Sequence, residues 1–263
     1  MKNFNLDDFL QCPKCENKLG KLITGFNKCQ SCNLEFERNN NLNNSNDSFQ
    51  YIFTTFFPQP KIKNKPYIFN KNDLRAKNWR FLSFNSIFDW IKKLQYDSFI
   101  LDLGCGPLTN SHILHDRNVI FTDGANFEGV NVVTDFNSSL PFKENTFDAI
   151  LCSNVLEHMS NPLIIFQQIF KTLKPGGQAL IIVPFIIKVH QAPYDFHRFT
   201  KYGLEFLALK SNFTSIDVKE IGGLSNILRT FYSLDKAISI HPVEKFLLFL
   251  EMSINRVRRA LFG

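Results

Sequence analysis

The chain has 263 residues, with 30 Lys and Arg against 24 Asp and Glu and a formal charge of +6. That length buries one full α/β domain and a small appendage, and the mild positive balance suits anionic partners such as nucleic acid or an anionic membrane face without requiring either. The start, Met1-Lys-Asn-Phe-Asn-Leu-Asp-Asp, lacks an apolar leader core and no window holds eighteen uncharged apolar residues, so a cytoplasmic chain without a spanning helix is expected.

In chain order, the first feature is a pair of knuckles, Cys12-Pro-Lys-Cys15 and Cys29-Gln-Ser-Cys32, with thirteen residues between them. Each can put two thiolates on one tetrahedral ion, and four sulfur ligands leave no open position, so a structural zinc is expected. Two disulfides or a redox C-x-x-C are the alternatives, but a redox motif needs a single pair in a βαβ setting. Leu19 to Ile23 and Leu34-Glu-Phe36 supply the strands of a zinc-ribbon-like module over residues 1–37, in which the metal contributes most of the folding energy. Residues 38–50 are polar and rich in Asn and Ser, and read as a linker; an arm continues to residue 71. Leu74, Phe81, Phe84, Ile87, Phe88, Ile91 and Leu94 recur at helical spacing over residues 72–95. Trp79 and Arg80 on this helix either reach a ligand or, as favoured, serve packing and surface.

Phe99 to Leu103 is a short apolar run that reads as a buried parallel strand, ending in Asp102-Leu-Gly104-Cys105-Gly106-Pro107. The two glycines let the backbone turn tightly at the carboxyl end of the strand, where open α/β sheets bind ligands, and a helix is expected over 108–117. The third glycine of a dinucleotide fingerprint is missing, and Pro107 removes a backbone donor where a pyrophosphate would rest. An acid before the glycines, at Asp102, suits a ligand carrying positive charge. Further strands follow at Val119–Asp123, Val130–Thr134, Phe147–Cys152 and Gln178–Pro184, the last after the turn Leu173-Lys-Pro-Gly-Gly177.

Asp102-Leu-Gly-Cys-Gly, the acid-ended strand at Asp123, Asp135-Phe136, Ser153-Asn-Val-Leu-Glu-His158 and Leu173-Lys-Pro-Gly-Gly177 resemble, in order, the motifs of class I S-adenosylmethionine-dependent methyltransferases. The resemblance implies a Rossmann-like α/β sheet with helices on both faces over residues 72–223. It also implies a cofactor site: Asp102, Gly104, Cys105 and Gly106 around the glycine turn; Asp123 and Gly124 at the ribose; Asp135 and Phe136 at the adenine; Asn154 and His158 closing the rear. Glu157-His158 can be catalytic, but a structural role is favoured. Cys105 and Cys152 read as small packing residues, and His112 and His115 as solvated.

After the fifth strand stands Val183-Pro-Phe-Ile-Ile-Lys-Val-His190-Gln-Ala-Pro-Tyr-Asp195-Phe-His197-Arg198-Phe-Thr200, a dense polar cluster on a loop where this fold presents its acceptor. His190 or His197 can serve as base to a hydroxyl, Asp195 can orient it, and Arg198 can grip an anion. The competing reading pairs Asp195 with Arg198 structurally at the start of a helix from Thr200. The cluster resembles a bacterial type-11 methyltransferase branch associated with cell-surface polysaccharide, which implies methyl transfer to an O or N of a small or glycan-type acceptor. RNA methylation using the zinc module, and a non-catalytic cofactor-binding adaptor, are the alternatives. Phe213–Lys219 is expected as a sixth strand with no clear seventh. Residues 224–263 read as two helices, the second basic and amphipathic with Arg256, Arg258 and Arg259. Packing or dimerisation is favoured for it over peripheral membrane contact.

Overall fold

In a computed structural model, residues 5–40, 49–53 and 79–223 are described. The chain forms two compact units, one of residues 1–68 and 87–218, the other of 69–86 and 219–263. Of the second, only residues 79–86 and 219–223 are described, so the expected helices of 224–263 lie outside the described residues.

The first unit is built on a mixed sheet of eight strands in the order β1-β2-β3-β6-β5-β4-β7-β8. Its centre is β4 (Phe99–Leu103), whose five residues are all buried, as a parallel strand covered on both faces must be. It pairs in parallel with β5 (Asn118–Asp123), Ile100 opposite Val119, and with β7 (Phe147–Ser153), Leu103 opposite Cys152. Beyond β5 lies β6 (Val132–Val133), and beyond β7 lies β8 (Leu173–Ile182). The chain therefore reverses its direction of travel across the sheet beside β4.

The other edge corrects the linker reading. β1 (Gly25–Lys28) and β2 (Glu35–Asn40) form an antiparallel hairpin, β2 pairs with β3 (Phe49–Ile52), and β3 joins β6 in parallel through Tyr51 opposite Val132. The ribbon strands are thus Gly25–Lys28 and Glu35–Asn40, while Leu19–Ile23 is not a strand. The cysteine module is an extension of the sheet. Buried Arg38 donates to the Tyr51 hydroxyl at 2.8 Å and pairs with Asp7 at 3.1 Å. Leu10 bridges Phe142, Gln11 N donates to the Pro141 carbonyl at 3.0 Å, and Lys143 N donates to that of Phe9. Leu10, Leu19 and Phe36 consequently share one apolar core with Leu101, Phe142, Phe147 and Ile169.

Four further expectations change in detail. The helix over 108–117 shrinks to α2 (Ser111–Leu114) because Leu108 takes a left-handed φ of 57° and lays its side chain over Gly129. The helix over 72–95 is α1 (Trp79–Ile91) within the described residues. β8 starts at Leu173, with a register shift against β7 and Gly176 at φ 79°, a bulge of the kind glycine permits. Phe213–Lys219 is not a strand: Phe213 sets its ring edge-on to Phe170, 5.3 Å away, so side-chain packing on α3 (Pro162–Thr172), rather than a backbone ladder, anchors it. Among the described residues the sheet ends at β8. α4 (Lys201–Lys210) is capped by the Thr200 hydroxyl, which accepts from Gly203 N. Among the described residues no helix is long and apolar enough to cross a membrane.

Candidate active site

The carboxyl ends of β4, β5 and β7 meet where the strand order reverses, the place at which an open α/β sheet offers a ligand crevice. Gly104 and Gly106 take φ of 78° and 55°. A Cβ on Gly104 would stand 2.2 Å from Val155 Cγ2, so only glycine lets the turn lie under the segment after β7. Gly104 N and Cys105 N both donate to the Thr122 carbonyl, and Gly106 N donates to Asp123 Oδ2 at 2.8 Å. Asp123 Oδ1 accepts from Ala125 N at 2.8 Å, so this carboxylate ties the turn to the loop holding Gly124 and keeps a further lone pair on each oxygen. Burial pushes its pKa up against backbone donors at Ala125, Gly106 and Gly124.

Asp102 is fully buried, and neither carboxylate oxygen receives a hydrogen bond of good geometry, although Asn110 lies beside it. Burial pushes its carboxyl up to about 7; Asn110 opposes this and the Asp123 charge adds to it. A buried carboxylate without a donor is costly, and a cationic ligand in the crevice relieves it. Cys105 is buried against Val130 and Val133, and Cys152 lies within the core, both packing residues.

The more distant cofactor candidates divide. Asn154 sits at φ 57° and donates its N–H to the Ile182 carbonyl at 2.8 Å, locking the segment after β7 to β8. Asp135 is exposed and closes a turn onto Asn137, while the Phe136 side chain is buried in the apolar core. His158 is placed by its Nδ1, which meets the Tyr194 carbonyl. His115 is exposed and pairs with Asp116; His112 is half-buried.

The segment after β8 folds back over the turn Leu156–His158. Phe196 N and His197 N donate to the Glu157 carbonyl at 2.7 and 3.2 Å. Asp195 and Arg198 form the bidentate pair, at 2.6 and 2.9 Å; the Arg198 hydrogen bonds hold the Asp195 carboxyl well below the usual range, helped by His190 N. Arg198 is thus committed to Asp195. The same carboxylate accepts from His190 N at 2.9 Å, with His190 Nδ1 3.4 Å away. His197 Nε2 is buried without a partner. No spacing marks the convergence of Glu157, His158 and His190: adjacency joins the first two, but only tertiary folding brings His190 to them.

The four cysteines are reduced and their sulfurs all lie within 4.8 Å of one another. Cys12 to Cys32 is 3.5 Å and Cys15 to Cys29 is 3.6 Å, against about 3.8 Å for the edge of a tetrahedron with Zn–S of about 2.3 Å. The knuckles repeat one design. Glu16 N and Asn33 N return to the carbonyls of Cys12 and Cys29, and both residues take φ of 60°. At the opposite, amino-terminal ends of β4 and β7, a cleft of about 640 Å³ includes Phe99, Lys143, Asp148 and Lys174. Asp148 there is engaged by Phe99 N and Lys174 Nζ, each at 2.8 Å.

Residues 70–212 match the family model described as "Methyltransferase domain". An uncharacterized protein of Methanocaldococcus jannaschii is 34% identical over 114 residues, 39% of this chain and 48% of that one. The probable tRNA methyltransferase 9B of Bos taurus is 26% identical over 125 residues, covering 43% and 26%. A ubiquinone/menaquinone biosynthesis C-methyltransferase of Pasteurella multocida is 28% identical over 120 residues, covering 45% and 39%. The chain thus spans half or less of the length of these relatives. The family match, the parallel sheet reversing beside β4, and the glycine turn between Asp102 and Asp123 agree: this chain belongs to the methyltransferase-domain family, with the class I S-adenosylmethionine-dependent fold.

Proposed function

We propose that the chain transfers the methyl group of S-adenosylmethionine to an oxygen or nitrogen of a small or glycan-type acceptor. The observation that carries this reading is the fully buried carboxylate of Asp102, with no hydrogen bond of good geometry, at a turn where Gly104 excludes any side chain. Bound there, S-adenosylmethionine supplies an electrophilic methyl on a cationic sulfur. Asp102 complements the positive charge, Asp123 offers its remaining lone pairs to the ribose, and Gly124, Asp135, Phe136, Asn154 and His158 frame the rest. In-line displacement needs the acceptor held and water excluded, which is the task of the segment around His190, Asp195 and His197. A hydroxyl acceptor must also lose its proton, and His190 and His158 present nitrogen lone pairs toward the same volume. We assign the four cysteines a structural zinc.

A second reading, RNA as acceptor, is supported by the tRNA methyltransferases among the relatives together with the cysteine module. An acceptor screen that follows S-adenosylhomocysteine release separates them. Turnover with nucleotide sugars and none with RNA supports the first. Salt-sensitive turnover on RNA alone replaces it with the second. Cofactor binding without turnover on any acceptor class returns the chain to an adaptor role.

A further inference from the structure

Three ligating groups converge beneath the acceptor segment. Glu157 is fully buried, and neither of its carboxylate oxygens receives a hydrogen bond from another residue. His158 Nε2 and His190 Nε2 each stand 3.8 Å from Glu157 Oε1, too far for a hydrogen bond. The ligand atoms of all three residues lie within 4.8 Å of one another.

The tautomers follow from the other ring nitrogens. His158 Nδ1 faces the Tyr194 carbonyl, and His190 Nδ1 lies 3.3 Å from the Lys188 carbonyl and 3.4 Å from Asp195 Oδ2. A carbonyl only accepts, so both δ nitrogens carry the proton and both ε nitrogens present lone pairs. Two lone pairs and a carboxylate aimed at one point repel one another unless a proton or a cation sits among them, and the two imidazoles are set to ligate such a cation. Held δ nitrogens behind ε-ligating imidazoles are also how proteins fix histidines at metal centres.

We infer that Glu157, His158 and His190 form a site for a divalent transition-metal ion, distinct from the four-cysteine cluster. Two imidazoles and one carboxylate favour ions of the zinc, cobalt or manganese type over magnesium or calcium. The 3.8 Å edges must close by a few tenths of an ångström to reach the edge of about 3.4 Å set by metal–ligand bonds of about 2.1 Å. His190 lies on a loop, which can supply that movement. Three protein ligands leave positions open, as catalytic rather than structural sites do.

The role of the ion rests on the methyl-transfer reading above. An acceptor hydroxyl at an open position becomes more acidic and loses its proton to water. Its oxygen then bonds to the methyl carbon as the carbon–sulfur bond breaks, the electron pair leaving with sulfur as S-adenosylhomocysteine. His190 acts in this scheme as a ligand, and the ion rather than a free histidine lowers the cost of deprotonation.

The test is calorimetric titration of Co²⁺ into the full-length, zinc-loaded protein, followed by its visible spectrum. One further Co²⁺ per chain is expected, with the weak bands of nitrogen and oxygen ligation and without the intense charge-transfer bands of thiolates. Glu157→Gln and His190→Gln should each weaken Co²⁺ at least tenfold while leaving the zinc content and S-adenosylmethionine affinity unchanged. The second variant sits on the loop, so it preserves the test where the first fails to fold. No additional Co²⁺, or equal affinity in both variants, overturns the site. If S-adenosylmethionine also fails to bind the wild type, the methyl-transfer reading falls with it; if it binds, only the metal site falls.

Discussion

On the proposed function, Asp102 sets the charge preference of the crevice. Its folded pKa, about 7 through burial, lies above the unfolded value near 3.9, so between about pH 4 and 7 the unfolded chain ionises first. Its contribution to stability therefore falls as pH rises through that window. A cationic cofactor needs the ionised form. S-adenosylmethionine affinity should rise with pH by up to about tenfold per unit below 7 and then level off, and Asp102→Asn should bind weakly with little pH dependence. Calorimetry from pH 5.5 to 8.5 reads both; a flat wild-type profile would remove Asp102 from the site. Gly104→Ala forces a Cβ into Val155 and strains a positive φ. It should cost about 1–3 kcal/mol from overpacking alone, seen as a lower denaturation midpoint and lost cofactor binding. His197→Ala should spare cofactor affinity and lower turnover, and unchanged turnover would return His197 to packing.

At the scale of elements, legibility tracked locality. β4 and its glycine turn could be read because a buried parallel strand is a continuous apolar run and its glycines are local necessities. The clustering of the two knuckles could be read because four thiols come from two short segments, each closed by its own left-handed residue, Glu16 or Asn33. β3 could not: Phe49-Gln-Tyr-Ile52 follows a run of Asn and Ser, and becomes a strand only because β6 and β2 offer it partners on both sides. Phe213–Lys219 departs in the other direction, since Phe213 packs edge-on against Phe170 and Ile216 packs on the core instead of pairing in a ladder. The pairing of Asp195 with Arg198 is legible because the two lie three residues apart, whereas the convergence of His190 on Glu157 depends on a fold-back that no spacing encodes. The knuckles also make a prediction. Their cysteines are contiguous with the core under the sheet, so chelating the metal should destabilise the first unit as a whole. A single cooperative melt shifted down by several degrees is expected, at about 2–4 °C per kcal/mol; a separate early transition with the main melt unmoved would make the module independent.

For the whole molecule, the cysteine hairpin and the methyltransferase sheet share strands, core and the Asp7–Arg38–Tyr51 network, whose Arg38 and Tyr51 are buried. The module thus braces the β6 side of the sheet, the side on which Asp123 and Gly124 stand, while the segment after β8 folds over the other side. On the proposed function, cofactor and acceptor would be held from opposite flanks of β4, an arrangement suited to bringing a methyl group and a nucleophile into line. A formal charge of +6 makes weak, salt-sensitive association with polyanions unsurprising, so RNA retention at low salt alone would not identify the acceptor.

The most direct test of this account is isothermal titration of S-adenosylmethionine and S-adenosylhomocysteine into the zinc-loaded protein. Binding of both at one site per chain in the micromolar range, lost in Asp123→Ala, is the predicted result. No heat from either ligand, or wild-type affinity in Asp123→Ala, would contradict the placement of the cofactor at the carboxyl ends of β4 and β5.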